Sequence, residues 1–318
     1  MASRRRSGRW TRRLAWALIA GVLAVSGWVV VPEALKLREL WVLAARARDG
    51  AATPRVETIE YTSAGRRIVA DLYQPPTPRG YVVFAHGNRP DGRRHPLARA
   101  LAGALGRHFT TLAFDFRGYG DSGPLGPYRP GMTLDLTSDI VAGVRYLAQR
   151  FEVAPEDVIL VGHSFGSASV NLAAKKLGAR RAVAIGTGDA RRMLSLRPDF
   201  AAGQVRKLAQ VGLDVPLDHI PALYEPLYAD NIFDTCPAGQ RLFIWGEYEP
   251  GAAMMGDVLS RLRRDCPGRI DVAIIPRANH MYWFEGRPFT GFQLYSVLIG
   301  QNGWIDAVVG TILEHLGR

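Results

Sequence analysis

Apolar and polar positions along the chain change rhythm twice. Residues 14–31 form an 18-residue run without a charged side chain, and Pro32 and Glu33 end it. An α-helix rises 1.5 Å per residue, so this run would reach about 27 Å, close to the hydrocarbon thickness of a bilayer. Residues 33–55 mix Leu, Ala and Arg at near-helical spacing. That predicts a short helix and a linker over 32–57, suited to lie on a membrane surface. From residue 58 the period shortens. Runs at 58–62 and 67–73 flank Ser63-Ala64-Gly65 and read as a hairpin. Apolar runs rich in β-branched and aromatic residues follow at 81–85, 110–114, 158–161, 182–185, 242–245 and 272–275. Helix-like stretches at 97–105, 137–149, 164–176 and 253–264 separate them, and a helix near 304–316 closes the chain. This alternation predicts an α/β domain over 58–318, with a mostly parallel central sheet and helices on both faces. Residues 189–234 break the rhythm, cut into short pieces by Pro198, Pro216, Pro221 and Pro226. They are expected to form an inserted cap over one edge of the sheet.

Charge changes the reading of the amino terminus. The chain carries 40 Lys and Arg against 29 Asp and Glu, a net charge of +11. A balance this basic suggests nucleic acid or an anionic membrane as partner. Six of the cations, Arg4, Arg5, Arg6, Arg9, Arg12 and Arg13, stand directly before the apolar run. They account for more than half of the excess and turn it into a topology signal. Positive flanks stay in the cytoplasm. The expectation is a cytoplasmic flank at 1–13, a transmembrane or signal-anchor helix at 14–31, and a folded domain on the extracytoplasmic side. The alternative is a cleaved signal and a secreted domain, since Ala24-Val25-Ser26 resembles a small-residue cleavage site. The apolar run continues past that site, beyond the 7–15 residues usual for a signal. No helix-turn-helix, zinc-finger or RNA-binding signature occurs, so no nucleic-acid partner is expected. No Cys/His cluster has zinc spacing, and no metal or organic cofactor is expected.

The sharpest chemical signal is Gly162-His163-Ser164-Phe165-Gly166, between the apolar run 158–161 and the helix-like 167–172. A serine hydroxyl that must project from a tight strand-to-helix turn needs small residues two before and two after it. The helix N-terminus then offers backbone N–H groups to a developing oxyanion. With this context the chain resembles the α/β-hydrolase family over about 58–318. Phe84-Ala85-His86-Gly87-Asn88, at the end of a strand, resembles the family's His-Gly oxyanion loop. Asp115-Phe116-Arg117-Gly118-Tyr119-Gly120-Asp121-Ser122-Gly123 resembles the loop after the next strand.

The resemblance implies a nucleophile, an acid and a histidine in that chain order. Ser164 is the implied nucleophile. His280, just after the last strand, is the implied base. Of the other histidines, His86 and His163 lie in motif loops and are expected to shape backbone, while His95, His108, His219 and His315 read as packed or surface residues. The acid position falls after the run 242–245, in Gly246-Glu247-Tyr248-Glu249-Pro250. The family usually has Asp three residues after such a glycine. Glu249 stands there, with Glu247 as the alternative and Asp214, Asp218 and Asp230 as weaker rivals. Backbone N–H groups of Asn88 and Phe165 are the implied oxyanion hole.

The function expected is a serine hydrolase that cleaves a carboxylic ester of a small-molecule acyl substrate through an acyl-enzyme. A serine peptidase or amidase on the same fold is one alternative, and a non-catalytic binding module on this scaffold is another. Arg191, Arg192, Arg197 and Arg206, in or beside the cap, either favour an acidic or phosphate-bearing substrate or are solvated surface. Only two cysteines exist, Cys236 and Cys266. They are either two buried thiols or a disulfide. If the family's strand order holds, each precedes one of two neighbouring parallel strands, and in an exported domain they would bond.

Overall fold

The computed structural model describes residues 31–282, 300 and 302–317. Residues 14–30 of the expected membrane helix, and the flank before them, lie outside the described residues. Among the described residues no helix is long and apolar enough to cross a membrane.

Eight strands form one sheet: β1 (Arg55–Ser63), β2 (Arg66–Gln74), β3 (Tyr81–Ala85), β4 (Thr110–Phe114), β5 (Ile159–His163), β6 (Arg181–Ile185), β7 (Gln240–Gly246) and β8 (Ile270–Ile275). Their spatial order is β1-β2-β4-β3-β5-β6-β7-β8. The β1–β2 hairpin turns at Ala64 and Gly65, both at positive φ (45° and 71°), which suits the twist of a two-residue loop. β2 also runs antiparallel to β4, and every later pairing is parallel. Parallel pairing requires crossovers. The helices α2 (Pro96–Gly106), α3 (Thr137–Phe151) and α4 (Phe165–Leu177) supply them between β3, β4, β5 and β6.

The central strands are apolar on both faces because both are covered. Along β3, Val83 and Ala85 face one core and Val82 and Phe84 the other. The first core packs under α3, α4 and the cap. The second packs under α2, a helix at residues 31–48 (α1), and the C-terminal helix at Gly303–Leu316.

The 32–57 stretch is not a free linker. Helix α1 buries Leu40, Leu43, Ala44 and Ala47, the i, i+3, i+4, i+7 stripe of a core-facing helix. Ion pairs fasten its polar side: Lys36 to Glu247 at 2.5 Å, Arg46 to Glu314 at 2.6 Å and Arg48 to Asp306 at 2.9 Å. The backbone approach is close. A β-carbon at Gly310 of the C-terminal helix would lie 1.9 Å from the Leu43 carbonyl oxygen. Of the arginines in this segment, Arg46 and Arg48 face acids of the domain, and β1 begins at Arg55.

The cap at 189–234 comprises α5 (Ala190–Leu196), α6 (Pro198–Ala209), α7 (Ile220–Tyr224) and α8 (Ala229–Ile232). Its Leu208, Leu213, Val215, Ile220, Leu223 and Leu227 join the first core, so it is seated rather than loose. The stretch expected as one helix at 253–264 is two: α9 (Gly251–Met254) and α10 (Gly256–Asp265), broken at Met255. Cys236 and Cys266 form a disulfide, with Cα atoms 5.7 Å apart. β7 and β8 pair in parallel from Arg241 and Ile270, which brings both cysteines to the same end of the sheet.

Candidate active site

The parallel strands all end on one side, where α/β sheets place their ligands. Four of these ends converge. The tightest is the turn after β5. Ser164 sits at φ 54° and ψ −116°, a conformation that costs any residue with a β-carbon, and α4 starts at the next residue. The turn holds because nothing larger than glycine fits beside it. A β-carbon on Gly162 would lie 2.2 Å from the Gly166 carbonyl oxygen, and one on Gly166 would lie 2.2 Å from that of Ala85. The Ser164 N–H donates to Ile185 O at 2.8 Å, locking the turn to β6.

His280 comes from the loop after β8. Its Nδ1 lies 2.5 Å from Glu249 Oε1 and its Nε2 lies 3.0 Å from Ser164 Oγ. A carboxylate only accepts, so Nδ1 carries the proton and Nε2 is free to accept from the serine. Glu249 is buried and held on its other oxygen. Oε2 accepts from the Gly246 N–H at 2.7 Å and faces the Tyr282 hydroxyl at 3.2 Å. Glu247 is elsewhere. Its Oε1 meets Lys36 of α1 and its Oε2 accepts from the Arg277 N–H at 2.8 Å. The geometry therefore joins Ser164, His280 and Glu249 and leaves Glu247 outside. Asp214 is exposed, Asp218 lies near His219, and Asp230 faces Arg191 and Arg261, all away from His280.

The loop after β3 borders the serine. A β-carbon at Gly87 would stand 3.3 Å from the Ser164 Cβ. Buried His86 accepts from the Phe116 N–H at 3.2 Å and donates through Nδ1 to Gly87 O at 2.7 Å. It ties this loop to the one after β4. There Asp115 accepts from the backbone of Arg93 and Asp121, so that loop acts as a support. Asn88 and Phe165 both line the cavity at Ser164. Among the described residues, neither of their backbone N–H groups has an acceptor. The Asn88 side chain is committed. Its Oδ1 accepts from Tyr119 at 2.8 Å, and its Nδ2 donates to Gln204 of the cap at 2.9 Å.

The cavity measures about 440 Å³. Ala168, Met193, Phe200, Leu227 and Met254 make much of its wall, most of them from the cap or the turns beside it. A smaller space of about 80 Å³ also borders Ser164, next to His95, Met281 and Lys207. The cap arginines are mostly occupied. Arg191 pairs with Asp230 and stacks on Tyr228, Arg192 pairs with Asp257, and Arg197 lies 3.7 Å from Asp199.

Two supporting residues were not assigned from sequence. Tyr282 braces Glu249. His163, expected only to shape backbone, braces His280: its Nε2–H donates to the His280 carbonyl at 3.0 Å, and the two rings lie 4.9 Å apart. Burial, and then the neighbouring His280, push the His163 pKa down to about 3, which keeps the ring neutral. A histidine with a folded pKa below its unfolded value of about 6.5 adds stability that is complete above pH ~6.5. That stability is lost as the pH falls towards about 3, because protons then favour the unfolded chain. Unfolding midpoints in urea should therefore drop between pH 7 and pH 4, and drop less in His163→Gln. Equal slopes in the two proteins would show that this ring stays unstrained by protonation.

The α/β hydrolase family model matches residues 82–292. Solved structures share the fold. An esterase of Pyrococcus furiosus superposes with a TM-score of 0.55 at 16% identity, covering 82% of this chain and 91% of its own. A protein of unknown function from Agrobacterium tumefaciens gives 0.52 at 15%, covering 82% and 95%. A hypothetical protein of Pseudomonas aeruginosa gives 0.51 at 18%, covering 78% and 94%. No curated protein matches the sequence. With a family match across about two thirds of its length and the sheet order to go with it, the chain belongs to the α/β hydrolase family.

Proposed function

We propose that the protein is a serine hydrolase that cleaves a carboxylic ester. The observation that carries this reading is the Ser164–His280–Glu249 relay, with contacts of 3.0 and 2.5 Å. His280 Nε2 takes the Ser164 proton as Oγ attacks the acyl carbonyl. The carbonyl oxygen becomes an oxyanion between the N–H groups of Phe165 and Asn88, each such donor worth roughly 3–4 kcal/mol in the transition state. The C–O bond to the leaving group breaks, and the imidazolium returns its proton to the departing alcohol. Water, deprotonated by His280, then attacks the acyl-enzyme and releases the acid and Ser164. Glu249 keeps the imidazole in the accepting tautomer and stabilises the imidazolium.

The mainly apolar cavity wall favours an acyl or alcohol chain over a peptide, and the Pyrococcus furiosus neighbour is an esterase. A complete relay has no purpose in a purely binding module. In a panel of 4-nitrophenyl esters of rising acyl length beside aminoacyl 4-nitroanilides, the esters should turn over at least about a hundredfold faster. A preference for the anilides would move the reading to an amidase.

We propose further that residues 14–31 anchor the chain, with the hydrolase domain on the extracytoplasmic side. The basic flank supports this orientation, and the Cys236–Cys266 bond suits an oxidising compartment. Protease added outside intact spheroplasts should digest the domain, and full protection there would place it in the cytoplasm.

A further inference from the structure

Arg197 and Arg206 of the cap line the large cavity, but the cations that line the small space beside Ser164 are others. Lys207, on α6, lines both the large cavity and the small space, each of which touches Ser164 and His280. Arg89, next to Asn88, lines the small space with it. Among the described residues neither side chain has an ion-pair or hydrogen-bond partner, unlike Arg191, Arg192 and Arg197. No acid lines the small space. Of the acids that line the large cavity, Glu249 contacts His280, and Asp199 is exposed and lies 3.7 Å from Arg197. Lys207 is half-buried, and burial and then the charge of Arg89 lower its pKa, with no acid acting against them. A half-buried cation beside a like charge is unfavourable alone. A ligand that brings the counter-charge removes the penalty and forms charge-assisted hydrogen bonds.

We infer that the ester hydrolysed at Ser164 carries an anionic group, a carboxylate or phosphate, held by Lys207 and Arg89 in the small space. The apolar remainder of the substrate occupies the larger cavity under α5 and α6. This rests on the serine hydrolase reading above. It makes Lys207 and Arg89 specificity residues that touch substrate and take no part in proton transfer.

The test compares matched esters. Mono-4-nitrophenyl glutarate against 4-nitrophenyl pentanoate places the charge in the acyl half. 4-Carboxyphenyl and 4-phosphonooxyphenyl butanoate, each against 4-carbamoylphenyl butanoate, place it in the leaving half and separate carboxylate from phosphate. At least one anionic ester should exceed its neutral partner about tenfold in kcat/KM, mainly through KM, the size expected for a charge-assisted contact. That advantage should collapse in Lys207→Met and shrink in Arg89→Gln, an exposed position where folding is not at risk. An advantage that survives both substitutions overturns the inference. So do anionic esters that are no better than neutral ones, while the hydrolase reading stands on the neutral turnover. If no ester of any charge is cleaved, that reading fails and the inference with it.

Discussion

Ser164→Ala should lose at least about 10⁴-fold in kcat while remaining folded, a barrier increase of roughly 5.5 kcal/mol or more. The substitution removes the attacking oxygen and its contact with His280 Nε2. It leaves the turn intact, since the Ser164 N–H still reaches Ile185 O and Gly162 and Gly166 are untouched. Residual turnover should persist above the uncatalysed rate, because the N–H groups of Phe165 and Asn88 do not depend on the hydroxyl. Ser164→Gly sharpens the expectation. It is equally inactive, but it removes a β-carbon from a residue held at φ 54°. Relief of that strain should raise the unfolding free energy by about 1 kcal/mol. An inactive protein that gains stability is the mark of a residue kept for chemistry at the expense of the fold. Near-normal hydrolysis by Ser164→Ala would remove the serine from the mechanism.

Glu249→Gln should cost about 10³–10⁴-fold in kcat, whereas Glu247→Ala should stay within about threefold. The two residues lie two apart in sequence but face different partners. A glutamine amide at 249 can donate to His280 Nδ1, and that puts the ring proton on Nε2, where it can no longer accept from Ser164. The defect is in kcat because the cavity wall is unchanged. Glu247 holds Lys36 of α1 and the Arg277 N–H. Its side chain is 27% exposed, so solvent screens the pair, and its loss should lower stability by only about 0.5–1 kcal/mol. Equal losses of kcat in the two variants would mean that the acid acts through the loop rather than through His280.

The part of the site legible in the sequence was the part set by local backbone. Glycines at 162 and 166 announce a turn that admits nothing larger, and Ser164 stands between them. Glu249 came from the family resemblance, which places an acid three residues after a glycine such as Gly246. The strand rhythm marked eight runs, and each overlaps one of the eight strands of the sheet. What sequence left open depends on contacts across the chain. The stripe at Leu40, Leu43, Ala44 and Ala47 has the same spacing in a helix on a membrane and in a helix on a core, and only the acids at 247, 306 and 314 decide for the core. Tyr282 reaches Glu249 from 33 residues away and Lys207 comes to Ser164 by way of the cap, so neither sits in a motif. The disulfide was conditional on strand order, and the adjacency of β7 and β8 supplied the condition.

The central claim is that Ser164 is a nucleophile activated by His280 and Glu249 in the folded protein. The most direct measurement is reaction with a fluorophosphonate, followed by peptide mass spectrometry. Folded protein should gain one phosphonyl group on Ser164, much more slowly in Glu249→Gln, and none after thermal unfolding. Silence of the folded wild-type protein, or an adduct on any other residue, would contradict the account.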